Sequence, residues 1–148
     1  MSKNSVNIII VGGFKAFGVY RSLAKMYQNV RFFRNEKDCL KSFDYSVDIL
    51  IIDQSLEISD LLMEVRNSSK KSHVIYLSNS RKFMPFLKAL QKGANDYILK
   101  DSYLYSSVRR AVRRVINNNK NGRFIDTCGL KKSYPIRYRL ASWTHKLS

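Results

Sequence analysis

The sequence predicts a doubly wound α/β domain, a five-stranded parallel sheet with helices on both faces. Short runs rich in Ile, Val, Tyr and Phe alternate five times with stretches whose apolar residues recur at helical spacing. Two of the runs, Asn7-Ile8-Ile9-Ile10-Val11 and Ile49-Leu50-Ile51-Ile52, are nearly continuous in apolar residues, as strands buried on both faces are. Successive βα units require right-handed crossovers, which place helices on the two faces of a parallel sheet.

The first strand is read at Val6 to Val11, closed by Gly12-Gly13, and the others at Val30 to Phe33, Asp48 to Asp53, His73 to Leu77 and Asp96 to Leu99. Between them, Phe17, Tyr20, Ala24 and Tyr27 mark a first helix with one apolar face. Asn35 followed three residues later by Asp38 resembles a helix N-terminus, and Cys39, Leu40 and Phe43 give that second helix its apolar edge. Ile58, Leu61, Leu62 and Val65 define a third helix. Phe83, Phe86, Leu87 and Leu90 define a fourth, which ends at Gly93 and tolerates Pro85 only in its first turn. The last helix, roughly Leu104 to Asn117, buries Leu104, Val108, Ala111, Val112 and Val115 and shows Arg109, Arg110, Arg113 and Arg114 on its other side. Those arginines form two i,i+4 like-charge pairs, which cost stability unless anionic groups face them.

At 148 residues the chain is long enough to bury one core without a metal or a disulfide. No apolar run approaches the roughly 20 residues a membrane span needs, and Met1-Ser2-Lys3-Asn4 leads into a short apolar stretch without a cleavage site, so a cytoplasmic location is expected. Cys39, Cys128, His73 and His145 lack the spacing of a zinc site, and free thiols are expected. The unusual feature is charge: 27 Lys and Arg against 11 Asp and Glu, a formal net charge of +16. Residues 109 to 148 hold 11 basic side chains and one acidic one, Asp126. That concentration suits an acidic partner, nucleic acid or an anionic surface; the alternative is a solvated tail.

In a doubly wound sheet the ligand site lies outside the carboxyl ends of the strands, which points to Gly12, Gly13, Asp53, Ser78 and Lys100. Asp53 stands in Ile51-Ile52-Asp53-Gln54, Ser78 in Tyr76-Leu77-Ser78-Asn79, and Lys100 ends Lys92-Gly93-Ala94-Asn95-Asp96-Tyr97-Ile98-Leu99-Lys100. In these motifs the chain, from residue 6 to about 118, resembles the receiver domain of bacterial response regulators, a flavodoxin-like fold; the run ending at Lys100 is the most specific match. The resemblance implies Asp53 as the phosphoacceptor position, Ser78 as the switch hydroxyl, Tyr97 as the switch aromatic and Lys100 as the phosphoryl-binding cation. It further implies a histidine kinase as phosphoryl source and a protein partner, or a second copy, docked on the fourth and fifth helices and the strand between them.

Such chemistry needs a carboxylate to attack phosphorus and fixed positive charge for the equatorial oxygens. The family's acidic pair at the end of the first strand, which holds Mg²⁺ with the acceptor Asp, is replaced here by Gly12 and Gly13. Three carboxylates with one lysine leave a net negative pocket, whereas Asp53 with Lys100 alone is neutral. No cofactor is therefore expected beyond weak Mg²⁺ binding, and losing the metal removes about a thousandfold or more in rate. Asp101 stands where most receivers have proline, so a trans peptide is expected there, with Asp101 or Ser102 capping the final helix. The sequence thus reads as an atypical receiver acting by protein contact and not as an independent enzyme. For each residue a plainer role stays open: Asp53 with Lys100 as a neutralising ion pair, Ser78 bonding backbone, and Tyr97 in the core. Gly12 to Gly18 fits neither phosphate-binding glycine motif.

Residues 1 to 118 are read as the domain and 119 to 148 as a basic tail, with Asn117 to Gly122 as linker. Gly122-Arg123-Phe124-Ile125-Asp126 resembles the segment that leads into a LuxR-type helix-turn-helix, but the 26 residues after Gly122 are too few for that output domain. Tyr134, Ile136, Tyr138 and Leu140 alternate with Pro135, Arg137 and Arg139, a strand pattern followed by Trp143. Aromatics interleaved with cations also suit nucleic acid. The competing function is therefore a nucleic-acid binder working through Arg109, Arg110, Arg113, Arg114 and the tail.

Overall fold

A computed structural model describes residues 5–44, 46–53, 58–68 and 71–120. Its elements alternate as β1 (Asn7–Val11), α1 (Phe14–Ala24), β2 (Asn29–Phe33), α2 (Glu36–Ser42), β3 (Ile49–Asp53), α3 (Ile58–Ser68), β4 (His73–Ser78), α4 (Phe83–Gln91), β5 (Asp96–Leu99) and α5 (Leu104–Lys120). The five strands form one parallel sheet in the order β2-β1-β3-β4-β5. Alternation along each central strand feeds two cores. Ile8, Ile10, Ile49, Ile51, Ile75 and Leu77 pack beneath α1 and α5, while Ile9, Val11, Leu50, Ile52, Val74 and Tyr76 pack beneath α2, α3 and α4.

Local signals explain most element ends. The Asn35 side chain accepts the Asp38 backbone N–H at 2.9 Å, the expected N-cap of α2. Pro85 sits third in α4, where its missing N–H breaks no intrahelical bond. Gly93 follows the α4 C-cap with φ of +107°, a left-handed conformation that other residues adopt at a cost. Its carbonyl accepts from Arg66 Nε at 3.0 Å and Nη2 at 2.6 Å, and Arg66 also donates to the Ser72 carbonyl and the Asn95 side chain. Arg66 thereby ties α3 to the segments entering β4 and β5, a role that periodicity alone does not signal.

Three expectations are corrected. The apolar face of α1 is Ala16, Val19 and Leu23, continued by Tyr27, whereas Phe17 is 42 % exposed and Ala24 faces solvent. The large aromatics had suggested a stripe shifted by one position. Phe17 and Tyr20 instead form an aromatic cluster with Phe32 of the edge strand β2, with centroids 5.3 to 5.8 Å apart. On α4, Phe86 and Ala89 are buried and Phe83 is 47 % exposed. Finally, α5 continues through Lys120, beyond the Asn117 expected as its end. Asparagine is a weak helix former but not a breaker, and Val115 and Ile116 anchor the last turns in the core. The remainder of the expected linker, the tail, Cys128 and His145 lie outside the described residues.

Burial pushes the Cys39 thiol up to about 12, well above the 9.0 of a free thiol. At neutral pH that leaves about three orders of magnitude less thiolate, so native Cys39 is expected to resist a maleimide pulse and to react once the chain is denatured. Mass mapping of the Cys39 peptide checks this; equal labelling in both states would contradict it.

Candidate functional site

The parallel topology brings the carboxyl ends of β1, β3, β4 and β5 to one edge of the sheet, and with them Gly12, Asp53, Ser78 and the Lys100 that follows β5. Lys100 Nζ donates to Asp53 Oδ1 in a close ion pair, with both side chains almost wholly buried. The lysine is held there by its own backbone, whose N–H donates to the Ser78 carbonyl at 2.8 Å. Its carbonyl accepts from Lys15 Nζ at 3.2 Å. Desolvating both charges offsets much of their attraction, so the pair is chiefly an electrostatic setting of the pocket, with Asp53 neutralised in place.

A second pair lies beside it. The Tyr97 hydroxyl is within 2.6 Å of Ser78 Oγ and 3.0 Å of the Ser80 carbonyl, and Ser78 Oγ accepts the Ser80 backbone N–H at 2.9 Å. Burial raises the Tyr97 pKa, partly countered by the Ser78 bond, so its phenol stays a proton donor. Tyr76 beside it is pushed up to about 12 by burial, then by Tyr97 and Asp53. The Tyr97 ring packs edge-on against Phe86 of α4 at 5.3 Å and against Tyr76 at 5.5 Å. Phe86 in turn lies 6.0 Å from the half-exposed Phe83. A continuous line of contacts therefore runs from the strand-end pocket to the surface of α4, where Met84 is also exposed.

Gly12 is pressed against the acid. A Cβ there would overlap Asp53 Cβ and lie 3.0 Å from Ala16 Cβ, and its φ is +152°. Gly13 is exposed, caps α1 without a side-chain hydrogen bond, and precedes a first turn that has no acidic residue. Mg²⁺ requires near-octahedral oxygen coordination, normally with one or two carboxylates, water and phosphate oxygens. Among the described residues this pocket offers one carboxylate, already joined to an ammonium group, and no cluster of three metal-ligating side chains occurs. This donor set does not fit a resident Mg²⁺.

The Lys100–Asp101 peptide is trans, and Asp101 Oδ1 accepts the Tyr103 N–H at 2.9 Å as α5 begins. The expectation of four outward-facing arginines on α5 is corrected. Arg110 and Arg113 are exposed, but Arg109 donates to Ser22 Oγ of α1 at 2.8 Å, and Arg114 pairs at 3.6 Å with Asp96. Asp96 is fully buried and bonded to His73 at 3.0 Å. At about 100° per residue the four arginines fan over about 140°, so the outer two reach back to the domain. Sequence spacing also gave no sign of a cavity of about 710 Å³ beside the strand ends, lined by Gly12, Phe14, Phe17, Phe32, Phe33 and Arg34 among others.

The sequence matches no protein-family model and no curated protein. Solved structures do match. The BeF3-activated receiver domain of DrrB superposes with a TM-score of 0.67 at 20% identity, covering 76% of this chain and 97% of that one. The CheY-like receiver domain protein of Methanospirillum hungatei gives 0.65 at 16% identity, covering 78% and 98%. A response regulator from Thermotoga maritima gives 0.61 at 23% identity, covering 76% and 98%. In the longer response regulator DrrB of Thermotoga maritima the match spans 54% of the chain. Element order, sheet order and these superpositions agree: this chain has the fold of response regulator receiver domains.

Proposed function

We propose that this chain is a receiver-like signalling module of the two-component type that acts through protein contact, with Mg²⁺-dependent phosphorylation of Asp53 weak or absent. The Lys100 ammonium on Asp53, with glycine at positions 12 and 13, carries the reading: the acceptor carboxylate is neutralised and the neighbouring metal-holding charge is missing. In the pocket, Asp53 is the phosphoacceptor position, Lys100 the cation, and Ser78 with Tyr97 the coupling pair. Without the metal, transfer loses several kcal/mol of transition-state stabilisation.

The output surface in this reading is α4, β5 and the start of α5. Phe83 and Met84 on α4 are about half exposed, and Tyr103, just before α5, is 68 % exposed. Apolar side chains gathered on one face favour a protein partner or a second copy. The Tyr97–Phe86–Phe83 contacts supply the physical route by which the state of Ser78 changes that face. A histidine kinase is the partner class such a module would meet. The reading is of a binding module rather than an enzyme. No helix among the described residues is long and apolar enough to cross a membrane.

Incubating the full chain with a small phosphodonor and Mg²⁺ tests the proposal by intact mass. The expected result is no adduct, or one far below stoichiometric. A stoichiometric phosphoryl adduct that disappears on Asp53→Asn would overturn it.

A further inference from the structure

We infer that the packed outer faces of α1 and α5 form a docking surface for the phosphate backbone of a nucleic-acid duplex. This surface is separate from the α4–β5 contact face and from the Asp53 pocket. The two helices lie side by side on one face of the sheet and are joined across their seam by Arg109 Nη1 to Ser22 Oγ. Arg21 and Lys25, at the end of α1, and Arg110 and Arg113, on α5, are all exposed. Neither α1 (Phe14–Ala24) nor α5 (Leu104–Lys120) contains an acidic residue. Among the described residues, the carboxylate that reaches an α5 arginine in an ion pair, Asp96, is buried and engages Arg114, at the edge of the arginine fan away from Arg109.

An isolated domain gains nothing from this arrangement. Arg21 with Lys25 is an i,i+4 pair and Arg110 with Arg113 an i,i+3 pair, so like charges repel along each helix and across the seam. An external anion relieves that repulsion, and the geometry selects a polyanion with two rows of charge. Helices in contact have axes on the order of 10 Å apart, so the α1 and α5 cations stand in two rows. The two phosphate rows bordering a DNA major groove are separated by about 12 Å. The α5 helix, 17 residues long, extends about 25 Å and can follow such a groove edge. Both helices run antiparallel to the strands, which puts this end of the pair at the opposite pole from Asp53 and Lys100. The basic residues of 121–148 continue the charge in sequence. The assignment differs from the one expected from sequence: it adds Arg21 and Lys25, reduces Arg109 to a clamp, and removes Arg114.

The test uses the full chain and duplexes of about 20 base pairs in DNA and RNA form, with affinity followed against salt. The quadruple variant Arg21→Gln, Lys25→Gln, Arg110→Gln, Arg113→Gln is expected to bind at least about tenfold more weakly at about 0.1 M salt, and its log–log salt slope to fall by about 3. Its unfolding midpoint should not drop, because the exchanged side chains are exposed and mutually repulsive. A slope unchanged in the quadruple variant but lost in Arg137→Gln, Arg139→Gln would assign binding to the tail and overturn the proposal. Equal, equally variant-sensitive binding to phosphatidylserine vesicles or to polyglutamate would also overturn it, in favour of unselective polyanion capture.

Discussion

Asp96→Ala is expected to lower the free energy of unfolding by about 3 kcal/mol, read as a lower urea midpoint at unchanged m-value. Asp96 is fully buried at the start of β5, where it accepts from His73 of β4 and pairs with Arg114 of α5. Removing the carboxylate takes an acceptor from both His73 and Arg114 in a water-poor site, and breaking a buried pair from one side ordinarily costs about 3 to 5 kcal/mol. The low end applies here because the Arg114 side chain is 28% exposed and can turn to water. Adding His73→Leu to Asp96→Ala should restore part of the loss, since the buried imidazole that has lost its Asp96 bond is then gone. A loss under about 1 kcal/mol, with no recovery in the double variant, would show that the cluster does not hold β4, β5 and α5 together.

Gly12→Asp and Gly13→Asp, the substitutions that would place an acidic pair at the end of β1, are expected to act with opposite signs. At Gly12 the new Cβ would overlap Asp53 Cβ and crowd Ala16, at a φ of +152° that side chains rarely adopt. Overpacking and backbone strain each contribute about 1 to 3 kcal/mol, so the loss should reach about 3 kcal/mol or more, before any repulsion between two acids. Gly13 is exposed at φ of −91°, where a carboxylate can accept the unsatisfied N–H groups of α1 and meet its positive dipole end. A gain of a few tenths of a kcal/mol, about 0.5, is expected there. Thermal or urea unfolding of both variants checks the contrast. A Gly12→Asp protein as stable as its parent would mean that the β1 end can move away from Asp53.

Much of this architecture is legible in the chain. The β-branched and aromatic runs place all five strands within a residue or so at each end, and β1, β3 and β4 stand out most because strands buried on both faces must be apolar without interruption. Asn35 capping α2 and Gly93 closing α4 are readable because their chemistry is local. The strand-end residues Asp53, Ser78 and Lys100 also converge as expected, since parallel strands gather their carboxyl ends at one edge. The stripe on α1 was hidden because Phe17 and Tyr20 are larger than Ala16 and Val19 and offer more apolar surface to bury, yet Phe32 on the sheet's edge strand gives those rings a site outside the core.

By itself, then, the sequence determined the element order, the sheet class, the glycines that end the first strand and the excess of positive charge. All of these follow from residue type and spacing along one chain. Only the tertiary structure decided which charges stay exposed. Arg109 and Arg110 are neighbours in sequence, yet one meets Ser22 of α1 and the other meets water. Arg114, which the same pattern placed beside them, closes over a carboxylate from β5. Electrostatic pairing falls off with distance through space and does not depend on separation along the chain, so the partner of a charged side chain is set only when the elements pack.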